Sequence, residues 1–213
     1  MMQINKEFAE LIGIIIGDGF VHRHNNSYRI GIVGNPKTDM NYFYKIQELI
    51  WKVWQKEVRI TERERGLRMT FGSKRAFEDW TINLKLPYGE GKCERITIPN
   101  IIANDWNLAK NTIRGIVDTD GSVFTANKPG SPNYPSIEIT TSSPALALQL
   151  KEILEKQCFR VAKIWKYKSK LSSRTTYKIP LNGYDNLAKW LEEISFSNPN
   201  KLNRAISALK IKK

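Results

Sequence analysis

The chain has 213 residues, of which 41% are hydrophobic, so it is long enough to fold as one large or two small domains around an ordinary core. Its 34 lysines and arginines against 21 acidic residues give a net charge of +13, which favours a polyanionic partner over an acidic small substrate. No apolar run approaches the length of a membrane span, and the amino terminus lacks a secretory apolar stretch, so we expect a cytoplasmic protein.

The first half begins with an apolar run, LIGIIIGDG, at residues 11–19. The run predicts a helix that ends at Asp18 and Gly19, with the glycine supplying a left-handed cap. Two strands, an amphipathic helix, two more strands and a final helix are predicted to follow, at residues 20–24, 28–33, 39–56, 58–64, 67–71 and 76–84. The final helix leads into a loop with the pattern Lys-x-x-Arg, at Lys92 and Arg95.

The second half repeats this order of elements. Its motif, IRGIVDTDG at residues 113–121, places Asp120 at the position of Asp18, 102 residues later. The elements that follow are predicted at residues 122–126, 136–141, 144–156, 161–167, 175–181 and 186–194, before a loop with Lys201 and Arg204. The chain therefore divides into a first αββαββα repeat (1–95), a linker (96–111) and a second repeat (112–213), and we expect the halves to pack together.

Both motif helices carry small residues four positions apart, on one face. Gly13 and Gly17 form this pair in the first half, and Gly115 and Thr119 in the second. Small residues let two helix backbones approach closely, which would bring Asp18 and Asp120 side by side at the helix ends. Two adjacent carboxylates repel each other unless a cation lies between them, and Mg²⁺ suits such a place.

The paired motifs resemble those of the LAGLIDADG homing endonucleases, in the form in which two repeats occupy one chain. Both copies keep the third-position glycine, the eighth-position aspartate and the terminal glycine, and the resemblance extends to the order of elements. The copies depart from the family pattern at the sixth position of the first motif, which is Ile16, and in the opening residues Ile113 and Arg114 of the second. The family's metal-binding acid is the eighth residue, so we interpret the sixth-position Asp118 as structural.

The resemblance implies a metal-assisted hydrolysis of DNA, with each acid addressing one strand across the minor groove. It implies that Asp18 and Asp120 bind Mg²⁺ or Mn²⁺, with the preceding Gly17 and Thr119 in the same metal sites. Basic residues near the metals assist in the family, and Lys92 and Lys201 are our candidates for charge stabilisation or water positioning. Where family members often carry a glutamine, this chain has Gly34-Asn35 and Ser142-Ser143, so no water-orienting amide is assigned.

DNA recognition is assigned to the strands. In the first half, alternation predicts a polar stripe made of Arg59, Thr61, Arg63, Arg65, Arg68 and Thr70. We add Arg29, from an earlier strand of the same half, to these candidates. Arginine pairs bidentately with guanine, and a two-stranded ribbon fits the major groove. In the second half the face is ambiguous, because Trp165 and Tyr167 alternate with lysines, and the candidates are Lys163, Lys166, Lys168, Arg174, Thr176 and Lys178.

The sequence therefore predicts an α+β fold of two repeats related by a pseudo-twofold axis, packed through the motif helices, with antiparallel sheets forming a saddle on DNA. We expect a monomeric, metal-dependent endonuclease that cuts both strands of a long, specific site. One alternative is an RNA maturase that assists intron splicing without cutting DNA. A second is a DNA-binding regulator that keeps a relic of the fold, although such regulators add a helix-turn-helix domain for which no segment remains. The opening methionine and the lack of splice-junction residues favour an intron-encoded or freestanding member over one excised from an intein.

Overall fold

The computed structural model of the protein describes residues 4–63, 66–168 and 174–210. Its first half has the following elements in chain order: α1 (Lys6–Gly17), β1 (Gly19–His24), β2 (Ser27–Gly34), α2 (Met40–Trp54), β3 (Ile60–Arg63), β4 (Gly66–Gly72), α3 (Lys74–Glu78), a π-helical turn (Asp79–Asn83) and α4 (Lys92–Arg95). The short helix α5 (Asn100–Ala103) follows. It lies in the segment expected to link the halves.

The second half has the same order and one longer terminal helix. Its elements are α6 (Trp106–Asp120), β5 (Gly121–Lys128), β6 (Ser131–Thr141), α7 (Pro144–Lys156), β7 (Trp165–Lys168), β8 (Thr175–Asn182), α8 (Tyr184–Glu193) and α9 (Pro199–Lys210). Helix α6 begins inside the segment expected to be a linker. No helix among the described residues combines the length and the apolar character that crossing a membrane requires.

Each half forms a four-stranded antiparallel sheet, with the strand orders β1-β2-β4-β3 and β5-β6-β8-β7. The α+β fold predicted from the repeat is therefore confirmed. Helix α2 buries residues at steps of three and four, such as Phe43, Ile46 and Ile50, and strand β4 buries alternate residues, as expected for a helix packed on one face of a sheet. The other face of each sheet is left to solvent.

The two sheets have the same pairing register at their centres. Gly19 pairs with Ile32 in the first sheet, and Gly121 pairs with Ile139 in the second. One residue further along β2, Val33 pairs with Arg68 of β4. At the equivalent place in β6, Thr140 pairs with Lys178 of β8. Positions in the two halves are therefore matched residue by residue.

Helices α1 and α6 pack against each other at the centre of the molecule, through the small residues that the motifs place there. A Cβ on Gly13 would overlap the carbonyl oxygen of Thr112, and a Cβ on Gly115 would overlap the carbonyl oxygen of Glu10. The Thr112 hydroxyl donates a hydrogen bond to the Ala9 carbonyl at 2.8 Å across the same contact. The predicted close approach of the two helix backbones is thus present.

The glycines that end the motifs do not form left-handed caps. Gly121 has φ −95° and ψ 163°, and Gly19 is not among the glycines with positive φ. Each begins a strand that turns back over its own helix, so that a Cβ on Gly19 would lie 2.5 Å from the Ile15 Cα and one on Gly121 would lie 2.6 Å from the Val117 carbonyl oxygen. The prediction of a left-handed cap was therefore wrong. Glycine is needed at both positions because a side chain would overlap the preceding helix.

Two further expectations differ from the structure. Both Lys-x-x-Arg patterns lie in helices, the first forming α4 and the second lying near the start of α9, where loops were expected. Helix α9 was not predicted, although Pro199 at its start is a typical first helical residue. The two cysteines are free, with Cys93 half-buried and Cys158 exposed.

Candidate active site and nucleic-acid interface

The two motif aspartates lie at adjoining helix ends. Asp18 is the C-cap residue of α1, and Asp120 is the last residue of α6. A Cβ placed on Gly17 would lie only 3.3 Å from Oδ2 of Asp120, so this carboxylate lies against the last residue of α1, directly before Asp18. Helix carboxyl ends carry partial negative charge, which disfavours two further negative groups and favours a cation.

Burial raises the pKa of both acids. The pKa of Asp18 rises to about 6, first because the carboxyl is buried and also because Asp39 is close, while Lys201 and Lys92 oppose the rise. The pKa of Asp120 rises to about 7, through burial and the nearby charge of Asp18, against the same two lysines. The charged forms are thus poorly stabilised by the protein alone, which is the condition that a bound cation relieves.

Lys92 and Lys201 each bind the carboxyl end of a motif helix. The Lys92 ammonium donates to the carbonyls of Ile15, Ile16 and Gly19 at 2.6, 3.3 and 2.7 Å. The Lys201 ammonium donates to the carbonyls of three consecutive residues at 2.7, 2.8 and 3.0 Å, namely Val117, Asp118 and Thr119. An ammonium group has three N–H donors, so all three donors of each lysine have a carbonyl acceptor. Each lysine also places a positive charge beside the two acids.

The residues present fit a hard divalent cation held by few protein ligands. Within the described residues, no group of three or more histidines, cysteines or acids is arranged to hold a metal. Mg²⁺ typically takes one or two carboxylates and completes its shell with water and substrate phosphate, which matches the pair Asp18 and Asp120. The Thr119 hydroxyl is directed into its own helix, where it donates to the carbonyls of Gly115 and Ile116, and its own carbonyl accepts from Lys201.

Asp118 makes the contacts of a structural residue. Its side chain is buried, and Oδ2 accepts a hydrogen bond of 2.7 Å from the backbone N–H of Ser197. The contact ties the end of α6 to the segment that leads into α9, and therefore supports the helix that carries Lys201. Burial raises the pKa of this carboxyl to about 7, against the hydrogen bond from Ser197.

The outer face of the first sheet carries most of the predicted polar stripe. Val33 and Thr61 flank Arg68 in the register, and Gly31 pairs with Thr70, which places these side chains on the face opposite the buried Leu67, Met69 and Phe71. Arg29 and Arg63 share that register, and Arg59 is exposed just before β3. Arg65 lies outside the described residues. The same face includes His22 of β1, which the sequence suggests for groove or phosphate contact, and Phe20, which the sequence did not assign to the interface.

The register of the second sheet resolves the ambiguous face. Trp165 pairs with Lys178 and Tyr167 pairs with Thr176, so these four share the outer face with Thr140. Lys166 and Lys168 pair with Tyr177 and Thr175 on the opposite side. Lys163 precedes β7 and is exposed, and the Nε atom of Arg174 lies 3.1 Å from Oε1 of Glu94.

A groove of about 910 Å³ joins the acid site to the first sheet. It is lined by Asp18, by the loop that follows β2, and by the start of β4 with Arg68. Lys37 and Asp39 come from the same loop. The acid site is therefore open to the outer face of the first sheet.

Comparison with known proteins identifies the class to which this fold belongs. Residues 107–195 match the sequence model of the LAGLIDADG-like domain. The homing endonuclease I-DmoI, in a structure with DNA and Ca, has a TM-score of 0.62 at 16% identity over 95% of this chain and 96% of that chain. The homing endonuclease I-WcaI, bound to its DNA recognition sequence, has a TM-score of 0.61 at 15% identity over 95% and 88%. The second half therefore resembles the LAGLIDADG-like domain, and the whole chain has a fold similar to that of these two homing endonucleases.

One curated relative has a different name and a much greater length. A replication factor C small subunit from Thermococcus kodakarensis is 25% identical over 205 residues, which cover 95% of this chain and 21% of that protein. The chain thus spans about a fifth of the length of this relative.

Proposed function

We propose that the protein is a site-specific DNA endonuclease that cuts both strands with a divalent metal. The observation that carries the proposal is the placement of Asp18 and Asp120 at two adjoining helix ends, with a groove that joins Asp18 to the arginine-bearing outer face of the first sheet. Homing endonucleases of this fold have been solved with DNA and with Mn, Ca or Mg. A Mg²⁺ or Mn²⁺ ion at this place would activate a water and neutralise charge on the phosphate oxygens.

The chain's own residues would orient the reaction. Asp18 and Asp120 hold their carboxylates at fixed helix ends, so that each half addresses one strand. Lys92 and Lys201 hold those ends through backbone carbonyls and keep two positive charges next to the phosphates, which lowers the cost of placing anionic DNA beside two acids. The fixed geometry means that little reorganisation accompanies the reaction.

DNA would lie across the outer faces of both sheets. The first sheet offers Arg29, Arg68, Thr61 and Thr70, with the backbone of Arg63 paired in the same register, and the second offers Thr176 and Lys178 on the same side as two aromatic residues. A surface of this breadth suits a long target site, and the excess of basic residues suits phosphate contacts. Because both acids come from one chain, we infer that a monomer is sufficient.

Selection of cleaved sites from a randomised duplex library tests the proposal. We expect the parent to enrich one long site when Mg²⁺ is supplied, and to enrich none with a chelator or after the double substitution Asp18→Asn with Asp120→Asn. Enrichment that persists in the double variant would refute the assignment of the acids. Splicing of an intron RNA by a protein that enriches no DNA site would instead establish the maturase function.

A further inference from the structure

The outer faces of the two sheets differ at one pair of matched positions. Arg68 pairs with Val33 in β2, and Lys178 pairs with the equivalent Thr140 in β6. The residue pair beside them also differs: Phe20 pairs with Gly31 in the first sheet, whereas Ser122 pairs with Glu138 in the second. A basic side chain therefore has an aromatic ring and a glycine as neighbours in one half, and a serine and a carboxylate in the other.

In the first half, the ring and the glycine together support the arginine. A Cβ on Gly31 would overlap the ring of Phe20, so this ring lies across the glycine on the outer face of the sheet. The Arg68 guanidinium carbon lies 5.0 Å from the centroid of that ring. Arg68 is exposed, and no ion pair engages it in the described ranges 4–63, 66–168 and 174–210. The guanidinium is thus held in place with its hydrogen-bond donors directed to solvent.

In the second half, the equivalent lysine is already neutralised. The Lys178 ammonium lies 2.7 Å from Oε1 of Glu138, and it also lies 4.7 Å from the centroid of the Trp165 ring. Both charged side chains are more than two-thirds buried, with exposed fractions of 27% and 13%. A lysine held this way has little charge left for a phosphate and lacks the planar fork that matches a base edge.

We propose that Arg68 is a specificity-determining residue that reads one guanine, in the half of the target bound by the first sheet and close to the cut. The inference rests on the proposed function. Guanine presents two acceptors, O6 and N7, at the spacing of an arginine fork in the major groove. Holding the guanidinium on Phe20 before binding reduces the ordering cost of that contact. The groove shared by Arg68 and Asp18 places this base next to the cleaved phosphate.

It follows that the target DNA is not palindromic at the base pair that Arg68 contacts. The half bound by the second sheet is read there by a neutral Lys178–Glu138 pair, so no guanine is demanded at the matching base. The first-half guanine is expected to be favoured over each other base by about 5- to 150-fold, the range for one bidentate pair.

The test compares binding-site preferences of four proteins on the same randomised library. The parent is expected to show a guanine at one position of one half-site, and Arg68→Ala to lose that preference while keeping the preferences elsewhere. Phe20→Leu leaves the charge of Arg68 in place and keeps an apolar side chain at position 20, but it removes the ring. We expect it to weaken the guanine preference with little change in total affinity. The control Arg75→Ala removes an exposed arginine of α3, away from the outer face, and should leave the preference intact.

The outcomes separate the two proposals. An enriched site whose guanine preference is unchanged in Arg68→Ala would overturn the assignment of Arg68 and leave the endonuclease proposal standing. A parent protein that enriches no site at all would overturn both. If Phe20→Leu loses the guanine preference and its melting temperature also falls, that result alone does not count. It then supports the proposal only if Arg68→Ala, at the exposed end of the same stack, shows the same loss with an unchanged melting temperature. An unchanged Arg68→Ala preference decides against it.

Discussion

A lysine from late in each repeat binds the end of that repeat's motif helix. Lys201 is half-buried and donates to three successive carbonyls of α6, and Lys92 makes the matching contacts with α1. These contacts satisfy carbonyls that a helix end otherwise leaves without partners, and they offset the charge of the acids. The lysines therefore connect stability and chemistry at the same atoms.

Substitution of Lys201 by methionine tests this dual role. Methionine fills similar volume but leaves the carbonyls of α6 without their donor, so we expect the free energy of unfolding to fall by about 3 kcal/mol, the scale of a lost charged hydrogen bond with a buried unsatisfied partner. Chemical denaturation measures it. Lys52→Met, at an exposed position of α2, is the control and should change stability little. Equal stability of the two variants would mean that the Lys201 contacts do not hold α6.

The sequence identified the two lysines but not what they bind. The repeat aligned Lys92 with Lys201, which singled them out as a pair. Their acceptors are backbone carbonyls about 80 positions away in the chain, as for the Lys201–Val117 contact, and such a contact produces no periodic pattern. The matching acids were predictable because the motif itself contains them.

At the scale of elements, the contact between α1 and α6 is the feature on which the site depends. A Cβ on Gly115 would overlap the Glu10 carbonyl oxygen and lie 2.7 Å from the Ile14 nitrogen, and both are backbone atoms that cannot move aside. The helix ends hold Asp18 and Asp120, so any separation of the helices also separates the acids. Packing and chemistry are linked through this one contact.

Gly115→Ala is expected to destabilise the protein by about 2–3 kcal/mol, as overpacking of a close backbone contact does. Thermal unfolding measures the effect. Gly72→Ala is the matched control, because a Cβ there would meet only the Tyr28 carbonyl oxygen at an ordinary 3.5 Å. If both substitutions had the same small effect, the close packing of α1 on α6 would be refuted.

The elements were predictable from the sequence to the extent that one face was buried. Strand β4 alternates between buried and exposed residues, so its register and outer face followed from the pattern. All four residues of β7 are exposed, so alternation gave no preference between Trp165 with Tyr167 and Lys166 with Lys168. Only pairing with β8 decides that face. Helix α9 was missed because its start, in a segment of serine, asparagine and proline, has the composition of a loop.

At the scale of the whole molecule, the basic surface predicts a strong dependence of DNA binding on salt. Each phosphate neutralised by a lysine or arginine releases counterions, so affinity falls as salt rises. With six or more phosphate contacts, the dissociation constant is expected to increase about a thousandfold between 50 and 200 mM salt. Fluorescence anisotropy with a duplex of the selected site measures the slope, and a flat response would contradict binding across the basic faces.

Asp18 and Asp120 are proposed to carry out double-strand cleavage together. The most direct measurement is strand-resolved cleavage of the selected site in Mg²⁺ by the parent, Asp18→Asn and Asp120→Asn, with binding of the same duplex measured in parallel. We expect each substitution to reduce double-strand cutting by about 100-fold or more while leaving binding largely intact, because it removes a metal-binding charge and keeps the side-chain shape. Cutting by both variants at the rate of the parent would show that the acids are not the active site.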